Sequence, residues 1–244
     1  MASTGNLLNS KANLQQRLRQ LELRISTASE KNHRSPAQLL AVSKTRTADE
    51  IRALAQAGQR HFGENHLREA LSKINALRDL DLCWHYIGRI QSNKTADIAA
   101  HFHWVHSICR LKDARRLAAQ RATHLPPLNI CIQVNIDAEN SKSGVKPDEV
   151  LPLARAISTL TETTRATLRL RGLMCIPAPT ELAEQQRLPF RRMHQLMSSL
   201  QQSFPHLDTL SMGMSNDFEA AITEGSTIVR IGTALFGPRP APQA

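Results

Sequence analysis

A chain of 244 residues with 41% hydrophobic content can bury a large core in one domain. It holds no run of 18 apolar residues that would span a membrane as a helix. Its net charge of +10 favours anionic ligands, phosphorylated ones included, while aromatics at 4% that do not interleave with a basic run argue against a platform for single-stranded nucleic acid. The opening MASTGNLLNSKANLQQRLRQ lacks the apolar core of a secretory leader. Cys83, Cys109, Cys131 and Cys175 sit singly in apolar runs without C-x-x-C spacing. Both features point to a cytoplasmic protein with buried, unpaired thiols.

A polar–apolar helix is predicted over 7–31. Short β-rich runs then alternate with stretches of helical spacing. Strands are predicted at 38–43, 60–64, 83–88, 104–108, 128–136, 169–176, 208–213 and 227–236. Helices are predicted at 48–57, 66–78, 92–100, 111–123, 147–159, 181–203 and 216–224. Thr47 with Glu50 reads as a capping box, and Pro147 with Asp148 and Glu149 as a first helical turn. Runs apolar on both faces imply a parallel sheet covered by helices. Eight repeats in this length predict a single α/β domain, a (β/α)₈ TIM barrel over about 38–237 with an extra N-terminal helix and a flexible tail at 238–244. The cluster HFHWVH holds His101, His103 and His106 without a zinc motif, so no metal is expected.

In such barrels chemistry sits at the C-terminal ends of the strands, often with a phosphate site after strands seven and eight. Strand one ends at Lys44, strand two in Gly63-Glu64-Asn65, strand three in WHYIGRIQSNK and strand five in NIDAENSKSG. Strand seven runs into SMGMSND and strand eight carries VRIGTALFG. A lysine amine attacks aldehydes once desolvation lowers its pKa. Ser211, the Gly213 backbone, Gly232 and Thr233 offer donors to an oxyanion, with a helix expected to begin at Ser215. Arg230 shares a strand face with Gly232 and points inward. Each feature alone has an ordinary reading: a solvated or ion-paired lysine, or glycines that ease a turn. Together on one rim they suggest pyridoxal phosphate.

LLAVSKT, FGEN, WHYIGRIQSNK, NIDAENSKSG, RGLMCIPAP, SMGMSNDFEAAI and GSTIVRIGTALFG, spread from Leu39 to Gly237, together resemble the pyridoxal phosphate homeostasis protein family. The resemblance implies an alanine-racemase-like barrel (pyridoxal-phosphate fold type III without the C-terminal β domain) that binds pyridoxal 5′-phosphate as a Schiff base on Lys44. It further implies Ser211, Gly232 and Thr233 at the phosphate, Arg230 beside the pyridine nitrogen, and Asn65 and His85 lining the pocket. Lys142 is a second amine that could meet the ligand, or a solvated loop lysine. Two positions depart from the pattern: relatives carry an acid in place of Cys109 and a small non-thiol residue in place of Cys175, and buried packing is expected of both.

The expected role is intracellular cofactor homeostasis, with delivery to apo-enzymes as its extension. The alternative is a pyridoxal-phosphate-dependent amino-acid racemase. Racemisation needs two positioned proton carriers, and the sequence offers one good candidate, Lys44; the single tyrosine, Tyr86, lies inside strand three. No catalytic residue, nucleic acid or membrane partner is therefore expected. No oligomer signal is present, so a monomer is expected.

Overall fold

The computed structural model describes residues 3–139, 142–163, 167–180 and 182–238. In chain order the elements are α1 (Ser3–Lys31), β1 (Gln38–Val42), α2 (Ala48–Gln56), β2 (His61–Glu64), α3 (Leu67–Ala76), β3 (Cys83–Tyr86), α4 (Thr95–His101), β4 (Trp104–Ile108), α5 (Leu111–Gln120) and β5 (Leu128–Val134). They continue with α6 (Val150–Thr163), β6 (Leu168–Cys175), α7 (Ala183–Gln201), β7 (Thr209–Ser211), α8 (Phe218–Thr223), β8 (Ile228–Ile231) and α9 (Thr233–Phe236). The strands pair in parallel in sequence order and close through β1 and β8, where Leu40 faces Arg230 and Ala41 faces Ile231. The expected TIM barrel is what forms, because strands such as WVHSI are buried along their whole length and need helices outside and packing within.

Local chemistry sets the boundaries. Thr47 and Glu50 form the reciprocal capping box that starts α2. Gly58, at φ +109°, turns the chain out of that helix toward β2. Pro147–Glu149 form a 3₁₀ turn that leads into α6. Leu14, Leu18, Leu21 and Ile25 make one buried stripe on α1. That stripe carries α1 against α2, α8 and α9, so the first helix fills the place of a crossover helix beside the β8–β1 seam.

Three expectations are corrected. Strand eight was expected to run to 236, but it stops at Ile231 and Thr233–Phe236 form a helical turn; four residues are too few to carry a helical period. The helix expected from Ser215 begins at Phe218, after Asp217 accepts the Met214 N–H at 2.5 Å and holds the intervening turn. Cys83 and Cys109 are half-buried rather than buried, and all four cysteines are free thiols. Asn140, Ser141, the expected helix start at Glu181 and tail positions 239–244 lie outside the described residues. Among the described residues no helix is long and apolar enough to cross a membrane.

Gly213 shows how closely the loop after β7 is built. Its φ is +92°, and a Cβ there would stand 2.6 Å from the Ala221 Cβ and 3.0 Å from the Phe218 Cα. We expect Gly213→Ala to lose about 2–4 kcal/mol, the sum of left-handed strain and overpacking, read as a lower denaturant midpoint at unchanged slope. Wild-type stability in this variant would mean that α8 does not pack against the loop as described.

Candidate functional site

The C-terminal mouth of the barrel opens into a cavity of about 1450 Å³. Lys44, Asn65, Arg230, Gly232 and Thr233 line it, as does Lys142. His85, Ser211 and Gly213 do not. His85 and Ser211 are fully buried beneath the floor, and Gly213 serves the packing just described while its carbonyl accepts the Arg230 N–H at 2.9 Å. The depth follows from the register: Ser211 pairs with Ile228, two residues before Arg230 on β8, and His85 pairs with Trp104 at the start of β4. In the loop beyond β7, Ser215 and Asp217 reach the cavity wall instead. The Ser215 hydroxyl accepts the Ala234 N–H at 3.2 Å, tying this loop to the turn after β8. Burial pushes the Asp217 carboxyl above its ordinary range.

Arg230 is buried. Its guanidinium donates to the Ser211 carbonyl (2.5 Å), the Ser211 Oγ (3.0 Å) and the Cys175 carbonyl (2.8 Å). All three acceptors are neutral, and among the described residues Arg230 makes no ion pair. Burial pulls its pKa down, yet a guanidinium keeps its proton at any physiological pH. A cation without a close ion pair therefore stands at the cavity floor, and the Asp217 carboxyl in the same cavity lining acts on it only through space. Asn65 adds an unmet demand, since its Oδ1 is buried without a hydrogen-bond partner.

A buried ionic network holds the turn that carries Lys44. Lys73 donates to Glu64 (2.8 Å), to Glu69 (2.6 Å) and to the Ser43 carbonyl (2.7 Å). The Ser43 hydroxyl donates to Glu64 at 2.6 Å, and the Thr45 N–H to Glu69 at 2.5 Å. Lys44 thus sits between two residues tied to one network. Thr45 has φ +66°, a conformation that a β-branched residue adopts only when its surroundings impose it. Sequence reasoning reached Glu64 as part of the strand end but missed Lys73 and Glu69. The available signals were a lysine on the buried face of α3 and its i,i+4 spacing from Glu69.

The remaining residues divide. Lys142 is ion-paired with Asp137 (3.3 Å) and Glu139 (3.1 Å) at the cavity edge. Cys109 lines the cavity, with its thiol pushed up to about 11 by burial, whereas Cys175 is fully buried and pushed up to about 12. The three histidines of HFHWVH part company. His101 lies on an exposed helix end, His103 accepts the Trp84 N–H at 3.0 Å, and His106 is buried inside the barrel.

Residues 17–240 match the alanine racemase N-terminal domain family. The pyridoxal phosphate homeostasis protein of Pseudomonas aeruginosa is 55% identical over 218 residues, covering 88% of this chain and 91% of its own length. This chain belongs to the pyridoxal phosphate homeostasis protein family. The family member of Escherichia coli K12 is 49% identical over 227 residues, at 91% and 95% coverage. Among solved structures, Synechococcus elongatus PipY with PLP bound superposes with a TM-score of 0.79 at 35% identity, over 92% of this chain and all of that one. Alanine racemase of Corynebacterium glutamicum, at 18% identity and a TM-score of 0.66 over 97% of this chain and 63% of its own, shares the barrel fold.

The Glu64–Lys73 pair yields a pH-dependent prediction. Burial holds the folded-state Glu64 pKa above its ordinary value against the pull of Lys73. The folded state therefore binds this proton more tightly than the unfolded one, and the Glu64 contribution to stability falls as pH rises from the ordinary carboxylate range toward the folded pKa. Lys73→Met removes the counter-charge and widens that window. We expect it to cost about 3–5 kcal/mol at neutral pH and to recover part of the loss below about pH 5. Urea titrations at the two pH values check this, and an equal loss at both would show that Glu64 is not the group left uncompensated.

Proposed function

We propose that this chain binds pyridoxal 5′-phosphate in the barrel-mouth cavity and serves as a monomeric, intracellular carrier of that cofactor rather than as a catalyst. The observation that carries the reading is Arg230, a buried guanidinium on the cavity wall with neutral partners. A desolvated cation in that position favours an electron-rich or anionic ligand. The unpaired Asn65 Oδ1, an acceptor, and the half-buried Lys44 on the same wall complete a set of polar groups that fits an aromatic aldehyde phosphate. Support also comes from the relatives' name and from the bound PLP in PipY.

Pyridoxal 5′-phosphate held there would supply an aldehyde, a group that condenses with a primary amine with loss of water. Lys44 is that amine, and the clamp of Glu64, Lys73 and Glu69 fixes the turn it stands on. Arg230 donates toward a ring nitrogen and, as a permanent cation, leaves no proton there, which limits withdrawal of electrons into the ring. Ser215, Gly232 and Thr233 take the phosphate, with Ser215 in the part expected of Ser211. Turnover of amino-acid enantiomers calls for proton carriers on both faces of a carbanion. Tyr86 is buried and donates to the Arg89 carbonyl at 3.1 Å. Delivery to apo-enzymes extends the carrier reading.

Purified protein mixed with pyridoxal 5′-phosphate is expected to show a near-visible absorption band that Lys44→Ala abolishes. A band that survives in Lys44→Ala removes the covalent role. Arg230→Gln is expected to weaken binding at least about tenfold, the scale of a hydrogen bond to a charged group. Alanine and serine should not racemise above background; turnover approaching about 10 per second, the usual enzyme median, would replace the carrier reading with the enzymatic one.

A further inference from the structure

Inside the barrel a single file of polar groups runs from the cavity floor to the opposite end. Arg230 Nη1 donates to Ser211 Oγ, which lies 2.8 Å from His106 Nδ1. His106 Nε2 is 2.8 Å from His85 Nδ1, and His85 Nε2 is 3.0 Å from His61 Nδ1. Ser211, His106 and His85 are fully buried. Barrel interiors are ordinarily packed with branched aliphatic side chains. Here the apolar part of the interior is reduced to a small cluster around Leu40, Trp104, Cys131, Met174 and Ile228.

Donor and acceptor counting gives the file one direction. A guanidinium can only donate, so the Ser211 oxygen accepts from Arg230 and its own proton needs an acceptor. Among the described residues the one other partner of that hydroxyl is His106 Nδ1. His106 therefore carries its proton on Nε2 and donates to His85 Nδ1. His85 likewise carries its proton on Nε2 and donates to His61 Nδ1, with Cys83 Sγ at 3.5 Å as a weaker acceptor. Run the other way, the file leaves the Ser211 proton without an acceptor in a fully buried place, which native structures avoid.

We propose that Ser211, His106, His85 and His61 form a one-way hydrogen-bond relay that orients Arg230 through neutral partners rather than a close ion pair, with Ser211 and His106 as positioning residues. A carboxylate partner would fix the guanidinium equally well but would also neutralise it. Neutral acceptors fix the geometry and leave the charge to be met by a ligand in the cavity. The imidazoles suit the task because burial keeps them uncharged: His61 and His85 are held below their ordinary pKa, and His106 is lowered to about 3. Trp104 stacks on His85 at 5.4 Å with an interplanar angle of 7°, which keeps the ring from turning its nitrogens about. His61, Cys83 and His85 also bring donor atoms within 4.8 Å of one another, close enough to share a cation. In the relay His85 Nε2 bears a proton, so a metal ion there would have to reverse the whole file.

The relay can be read without any ligand. In protein labelled with ¹⁵N-histidine, long-range ¹H–¹⁵N spectra identify the protonated nitrogen of each ring. His85 and His106 are expected as Nε2–H tautomers between about pH 6 and 8, the range in which an ordinary histidine would titrate, and to stay so after Zn²⁺ is added. A proton on His106 Nδ1, averaging between tautomers, or loss of the His85 Nε2 proton to Zn²⁺ would each overturn the relay. Its effect on binding rests on the proposed function. His106→Leu cuts the file, whereas His106→Gln keeps one acceptor and one donor in it. Pyridoxal 5′-phosphate is expected to dissociate roughly tenfold faster from the first and within about twofold of wild type from the second, the scale of one buried hydrogen bond. Equal rates for the two variants overturn the positioning role. If the wild-type protein takes up no pyridoxal 5′-phosphate, the proposed function fails, while the tautomers still decide the relay.

Discussion

Everything at the cavity floor answers to one cost, the burial of the Arg230 guanidinium on β8. Moving such a cation out of water is expensive unless its protons are taken up. The fold spends two backbone carbonyls and a serine hydroxyl on that task. Ser211 and Cys175 are the last residues of β7 and β6, at the final register positions of the ladder, and their carbonyls accept from the guanidinium there. The short β7 is thus tied to the placement of a charge, and the close packing at Gly213 lets the chain turn immediately afterwards.

Lys44 and Arg230 are supported by opposite means. The turn that carries the lysine is fixed by a network rich in charge, Glu64 and Glu69 against Lys73. The arginine is fixed by neutral groups. Under the proposed function, the difference follows from what each must keep. An amine that is to act as a nucleophile must be able to lose its proton, so the clamp grips the backbone on either side of Lys44. The arginine is useful for a charge it cannot lose, and among the described residues the nearby Asp217 carboxyl acts on it through space without forming an ion pair. Strain at Thr45 is the local cost of holding the first arrangement.

The fold was largely legible because burial on both faces leaves a plain trace: WVHSI and QLLAV read as parallel strands from composition alone. The end of β8 was not, since TALF has the β-branched and apolar character of a strand and is too short to reveal a helical period. At the site, alternation told which side chains turn inward but not how deep they lie. That is why Lys44, Asn65, Arg230, Gly232 and Thr233 were read onto a wall they do line, while His85 and Ser211 were read onto it from a layer below. His106 was hidden by its neighbours, because a crowd of histidines suggests a metal before it suggests a hydrogen-bond file. Lys73 carried one readable signal, the i,i+4 spacing from Glu69 on the same helix, but its buried partner Glu64 comes from β2 and could not be read from that spacing.

The seam between β1 and β8 has a consequence for how the molecule is made. Leu40 pairs with Arg230 across it, so the strand that leads into Lys44 neighbours the strand that carries Arg230, although nearly the whole barrel separates the two residues in the chain. A seam of that kind is the most distant contact the chain must make, and such contacts carry the largest loop-closure cost in folding. The cavity wall that bears both residues exists only after the ring has shut. A ligand that bridges them is bound by the closed form alone and, by mass action, holds it closed. Occupancy of this pocket is thereby also a measure of whether the barrel is complete.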